Sequence, residues 1–379
     1  MELTDSTREL QRWQKSRKLR FPSPRIVIGA AAAAVAGVVI AVVLIVHGGS
    51  PSRPTPAGPK HPVSTTLTRL THLQRVKGVA VLDGPGLAET SAFNAIWVAN
   101  QQPGQIERVS EDGAHVLSNL SLPGKYVSPI DSGTPGYNPF YYGPQQSGSV
   151  MLVSVHGAKA HDGYLVFDKS GRIVGFHPVE TAGVIAAGPA GAWVQTSPTS
   201  MTRTDSQGAL TGAAVQVPGA TTQQRIISAA QAGGYLWVTL DGSVPPWKLV
   251  KMNATTGAVL GTATLPGAPY AVVATPDAAY VDGQDYRLYR VDGQSLQVTA
   301  TVLNDLPDAS YVQASTGPDG SVWAVVKNGE VVQLDPQTLR TLASWRLHQT
   351  VNSTFGALVT STRVVVNDES IKRLISFSR

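Results

Sequence analysis

Apolar and polar positions follow two different patterns along this chain. From Ile26 to Val46 the positions are Ile, Val, Leu, Ala and Gly without a charge. Beyond residue 63 they fall into short runs that alternate with period two, divided by turns rich in Gly, Asp, Asn and Pro. Thr341, Ala343, Trp345 and Leu347 alternate with Arg340, Leu342, Ser344 and Arg346, the pattern of a strand with one better-buried face. Upstream, Tyr311 to Ala314, Ser321 to Val326 and Glu330 to Leu334 read as three more strands. Gly317-Pro318-Asp319-Gly320, Lys327-Asn328-Gly329 and Asp335-Pro336-Gln337-Thr338 supply the turns between the four. No helical period of useful length follows residue 62.

The four-strand unit repeats. Bulky apolar residues recur at Trp97, Met151, Trp193, Trp237, Tyr280, Trp323 and Val365 in similar frames, such as Ala95-Ile96-Trp97-Val98 and Gly191-Ala192-Trp193-Val194. The third turn recurs as Ser110-Glu111-Asp112-Gly113, Asp168-Lys169-Ser170-Gly171, Asp205-Ser206-Gln207-Gly208 and Asn253-Ala254-Thr255-Thr256-Gly257. Four-stranded units spaced roughly 40–45 residues apart predict an all-β fold, a seven-bladed β-propeller. The repeated aromatic residues read as packing between blades. The last unit, ending at Arg379, lacks a fourth strand. Ser64 to Leu73 precedes the first complete unit and is expected to supply it, closing the ring.

The run from Ile26 to Val46 has the length of a single transmembrane helix, since a bilayer core of about 30 Å needs about 20 apolar residues. Arg8, Arg12, Lys15, Arg17, Lys18, Arg20 and Arg25 precede it, against Glu2, Asp5 and Glu9; only Arg53 and Lys60 follow before the folded region. The excess of bases predicts a cytoplasmic tail at residues 1–25 and an extracytoplasmic C-terminal part. Residues 47–62, rich in Pro and Gly, read as a spacer. Residues 63–379 are then the propeller. The expected location is the cell membrane, single-pass.

The chain's net charge of +5 comes mainly from that tail, so the outer part shows no basic excess for nucleic acid. No cysteine is present, which excludes disulfides, thiol catalysis and cysteine-ligated zinc. No P-loop, dinucleotide fingerprint or His-Glu-x-x-His stretch occurs.

Ile96-Trp97-Val98-Ala99-Asn100, followed by Ile106 and Gly113, resembles YVTN-type propeller repeats, as does Leu288 to Leu303. Quinoprotein-like propellers share related hairpins. Their Asp-x-x-Thr-Gly signature is approximated by Asp335 and Thr338, with Leu339 standing where Gly belongs. The resemblance implies architecture rather than a chemistry, because these families include surface-layer components, sensors, lyases and dehydrogenases.

Two groups of residues are candidates for function. The turns between second and third strands gather on one face beside the crossovers between blades, where loops vary on a rigid ring. They carry Asn100, Gln101 and Gln102; His156, His161 and Asp162; Asp241; Asp282 and Asp285; Asn328; and Asn367, Asp368 and Glu369. Imidazole and carboxylate groups from several blades, above all His156, His161, Asp162, Asp282 and Asp285, are candidate ligands of a divalent cation. Hairpins use Asp, Asn and Gly for turn geometry as well. The second group lies in an enlarged crossover, Lys125 to Gly148, with Tyr126, Tyr137, Phe140, Tyr141 and Tyr142, side chains suited to a sugar or a protein interface. The leading expectation is a binding or scaffolding module for an envelope protein or glycan. The alternative is a metal-dependent lyase or hydrolase. The sequence names no cofactor.

Overall fold

The computed structural model describes residues 73–379 except 76–79, 83–85, 101–104, 123–142, 156–161, 181–182, 184, 189–190, 243–244, 303–311, 327–329, 347–353 and 369–371. They belong to one compact unit, Ser64–Arg379. The expected membrane segment, tail and spacer, Tyr126, Tyr137, Phe140, Tyr141, Tyr142, His156 and His161 lie outside the described residues.

Among the described residues every regular element is a strand, and the strands form seven sheets. Blade 1 consists of β3 (Gly86–Ala92), β4 (Ala95–Asn100), β5 (Gln105–Ser110) and β6 (Val116–Ser121). Blade 2 is β7 (Gln145–Ser147), β8 (Val150–Val155), β9 (Gly163–Phe167) and β10 (Ile173–Pro178). Blade 3 is β11 (Ile185–Gly188), β12 (Gly191–Ser197), β13 (Ser200–Thr204) and β14 (Leu210–Gln216). Blade 4 is β15 (Gln224–Ala232), β16 (Tyr235–Gly242), β17 (Trp247–Asn253) and β18 (Val259–Leu265). Blade 5 is β19 (Pro269–Ala274), β20 (Ala278–Gly283), β21 (Arg287–Asp292) and β22 (Val298–Val302). Blade 6 is β23 (Val312–Thr316), β24 (Val322–Val326), β25 (Glu330–Leu334) and β26 (Thr341–Arg346), within a residue or two of the expected strands. Blade 7 has β27 (Thr354–Val359), β28 (Arg363–Asp368) and β29 (Arg373–Ser378).

Blade 7 takes its outer strand from the other end of the domain. β1 (Gln74–Arg75) and β2 (Ala80–Val81) both pair antiparallel with β29, in the registers Gln74↔Ser378 and Ala80↔Leu374. The closure by a strand preceding the first complete unit is as expected; of the segment Ser64 to Leu73 itself, only Leu73 lies within the described residues, packed against the layer between blades 6 and 7. Ala80 and Leu82 pack with Ile96, Val98 and Leu374 between blades 7 and 1.

The core is seven layers, one between each pair of neighbouring blades. The repeated aromatics fill them, as expected. Trp97, Trp193, Trp237 and Trp323 are at most 2% exposed, and each packs against the following blade. Blade 2 corrects the sequence reading by one residue. Met151 faces back toward Trp97, whereas Leu152 faces blade 3 with Tyr164 and takes the tryptophan's place. With no aromatic on that strand, a continuous apolar run gives no sign of its facing.

Hydrogen bonds tie five of the layers at the end of the ring that carries the third-to-fourth-strand turns. Arg108 lies 5.1 Å over the Trp97 ring and donates to Ser170 O of blade 2 at 2.9 Å. Tyr164 donates to Gly208 O at 2.8 Å, and Trp193 to Ala254 O at 2.7 Å. Lys251, 3.5 Å from the Tyr235 ring, reaches Gly293 O; Tyr280 and Arg290 both reach Pro336 O. Each acceptor belongs to the next blade's third turn, so a bond from the middle strands accompanies every one of these tight turns. Gly208 O and Gly293 O, which are buried, gain a donor in this way. The turns are Asx turns: Asp168, Asp205, Asn253, Asp292 and Asp335 accept backbone N–H groups two to four residues on.

Candidate functional site

The second-to-third-strand turns and the crossovers share one end of the ring. The crossover from β6 to β7 spans residues 122–144, the longest; the others run 179–184, 217–223, 266–268, 303–311 and 347–353. The enlarged segment is therefore rooted on this face. Of the segment Lys125 to Gly148, Gln145 to Ser147 belong to inner strand β7 rather than to the loop.

The inner strands enclose a central cavity of about 330 Å³. Glu89, Gln145, Ser228, Gln313 and Ser315 line it together with Ala, Val and Leu side chains from several blades. Near it, polar side chains cross between blades. Ser154 donates to Gly183 O at 2.5 Å; Ser228 Oγ accepts Val272 N–H at 3.1 Å; Asn367 donates to Glu89 at 3.3 Å.

Asp282 is part of this system. It lies on β20, 4% exposed, and its carboxylate accepts the Ala314 N–H of blade 6 at 3.1 Å. Burial, only partly offset by that bond, pushes its pKa up to about 8. Asp285, three residues on, sits in the exposed turn, where its carboxylate accepts the Tyr289 hydroxyl and lies 3.8 Å from Arg287. The two residues thus serve different ends, one a blade interface and the other a surface turn. Asp162 is partly exposed, and its backbone carbonyl accepts Val179 N–H at 3.1 Å. Asn367 is fully buried between blades 7 and 1. Among the described residues, no three His, Asp or Glu side chains converge as a metal-binding group.

The face is most organised over blades 4 and 5, which the sequence reading reached only through Asp241 and Asp285. Asp241 Oδ1 accepts Gly242 N–H at 2.8 Å, and Oδ2 accepts Gln284 Nε2 of blade 5 at 3.3 Å. Burial is the main cause of its raised pKa. Trp247, partly exposed, donates to Gly242 O at 3.2 Å, and Gln224 donates to Pro246 O at 2.9 Å. Gly267 permits the β18–β19 crossover to lie on the Asp285–Tyr289 pair: a Cβ there would sit 2.5 Å from the tyrosine hydroxyl. At the tip stands Tyr286, with φ +63° and 47% exposure. A left-handed tyrosine at a hairpin tip is invisible to propensity reasoning, which expects Gly or Asn there.

Seven closed layers and a shared loop face define the class: a seven-bladed β-propeller. No family model matches the chain, and no curated protein matches it. Solved structures do. The β-propeller domain of Cps50 (Swd1) from Myceliophteria thermophila is similar at a TM-score of 0.58 and 10% identity, over 81% of this chain and 100% of that one. BamB from Moraxella catarrhalis is similar at 0.52 and 12% identity, over 80% and 85% of the two chains. At such identities the likeness is one of fold alone.

Proposed function

We propose that this protein is a membrane-anchored, extracytoplasmic propeller, of YVTN-like repeat type, that binds or scaffolds an envelope component through the face bearing its crossovers. The observation that carries the reading is the 122–144 crossover, rooted between blades 1 and 2 on a ring whose seven interfaces are otherwise filled. Its sequence carries Tyr126, Tyr137, Phe140, Tyr141 and Tyr142, amphipathic aromatic residues suited to docking a partner. The apolar run 26–46, with basic residues before it, supports the anchor and its orientation.

The test is in-cell cross-linking and co-purification of the full-length protein beside a version with residues 128–142 replaced by a short turn. That replacement leaves β7 intact. A discrete envelope component that disappears with the segment is the expected result. The same component with both versions, or none with either, refutes docking through this segment.

A further inference from the structure

The central cavity of about 330 Å³ is lined by residues from the inner strands of all seven blades. Its chemistry is one-sided. Among the described residues that line it, Glu89 is the only charged one, and no Lys, Arg or His accompanies it. The fully buried Asn367 donates to Glu89 Oε2 at 3.3 Å and holds the carboxylate in place. A carboxylate has about four lone-pair sites, so that bond leaves it able to accept more.

The lining strand β23 adds two further oxygens. Gln313 and Ser315 stand two residues apart, on one face of the strand, while Ala314 between them packs toward blade 5. Gln313 Oε1 and Ser315 Oγ are buried without a hydrogen-bond partner among the described residues. Burying such atoms unpaired costs stability, so the fold carries two polar groups that its own packing does not use.

A second cavity, of about 550 Å³, shares Thr90, Thr316, Leu358 and Val359 with the first. It lies among the first-to-second-strand turns, where Thr275, Thr360 and Ser361 line it beside Glu111. None of its described lining residues is basic, and it offers a path inward from that end of the ring.

Oxygen acceptors around a carboxylate suit a group that is positive and rich in donors. An ammonium has three N–H donors and no acceptor, whereas an anion would meet the carboxylate with no lining base to offset it. Ala271, Val272, Val273 and Leu358 on the same wall suit the methylenes of an aliphatic body. The volume is at the small end of the range for ligand sites, room for a short chain.

We propose that the central cavity binds a small aliphatic ammonium ion, with Glu89 as its charge partner and Gln313 and Ser315 as neutral acceptors. The site lies within the ring and holds whether or not anything docks through the 122–144 crossover.

The test is isothermal titration calorimetry of the purified full-length protein in non-ionic detergent, with putrescine, butanediol, succinate and calcium chloride as separate probes. Wild type is expected to bind the diamine and none of the other three. Glu89→Gln keeps an acceptor for Asn367 but removes the charge, and is expected to weaken diamine binding about tenfold or more. Ser315→Ala is expected to weaken it about threefold or more with Tm level or raised, since the hydroxyl has no partner in the fold. That second variant keeps the test decisive if Glu89→Gln proves unstable. No heat from the diamine with wild type, equal binding of the diol, a preference for succinate or calcium, or an unchanged diamine affinity in either variant overturns the assignment.

Discussion

Replacing Asp282 with asparagine should make the protein more stable at neutral and alkaline pH, by an amount that vanishes near pH 4. The side chain is 4% exposed, and Ala314 N–H is its hydrogen-bond donor in the next blade. Burial raises its pKa to about 8 in the folded protein, whereas an unfolded aspartate titrates at 3.8. Between those values the folded state holds a proton that the unfolded state releases, so raising the pH favours unfolding. Each pH unit in that window corresponds to about 1.4 kcal/mol. The full window sets a ceiling of roughly 5–6 kcal/mol; local relaxation lowers the realised loss to about 3–5 kcal/mol by pH 8. Asparagine is the shape of the protonated acid. Its Oδ1 accepts the same N–H, and it cannot ionise. In a domain of this size roughly 2 °C accompanies each kcal/mol, so Tm of Asp282→Asn should exceed wild type by about 5–10 °C at pH 8 and match it near pH 4. The assay is thermal denaturation of both proteins followed by circular dichroism at half-unit steps from pH 4 to 9. A constant offset across the range, or a less stable variant at pH 8, would refute the argument that a buried carboxyl between blades 5 and 6 resists ionisation.

At low pH the opposite limb belongs to the third turns. Asp168, through the Ser170 hydroxyl first, and Asp292, through the Ser295 N–H first, are held at about 2, so their contribution is present above pH 3.8 and lost as pH falls through 2; Asp168→Asn should shift the acid midpoint upward in a pH titration of the circular dichroism signal. Trp237→Ala, emptying the layer between blades 4 and 5, should cost about 3–5 kcal/mol in urea denaturation. Leu339→Gly should destabilise by about 1–2 kcal/mol in the same assay, since lost burial outweighs relief of its left-handed φ. Ala80→Pro removes the N–H that donates to Gly113 O at 2.9 Å and breaks the closing strand; limited proteolysis should then cut blade 7 first.

The repeat was legible because each blade reuses one device at one spacing. A bulky residue on the second strand fills a layer, and an Asx turn precedes the fourth strand. The turn even showed its geometry through an exception: Leu339 occupies the glycine position of the Asp335 turn and does adopt the left-handed conformation, held by burial. What sequence could not give was facing. In blade 2 Met151 and Leu152 are equally apolar, and only packing assigns them to opposite layers. The closing strand is legible at the correct end of the domain, but β propensity does not report which small residue, here Ala80, fits under a neighbouring blade. The carboxylates were chosen by turn position, which cannot separate Asp282, turned into an interface, from Asp285, left on the surface three residues later. The left-handed φ of Tyr286 leaves no mark in the sequence, since propensity places Gly or Asn at such a turn position.

The central claim, that the crossover face is the working face, is tested most directly by a photoreactive diazirine side chain placed at single positions in whole cells. Gln105 and Gln284 report from the crossover face; Leu117 and Leu260, at the starts of β6 and β18, report from the opposite rim. The account predicts discrete adducts to an envelope component from Gln105 or Gln284, and none from Leu117 or Leu260. Adducts from the opposite rim alone would contradict it.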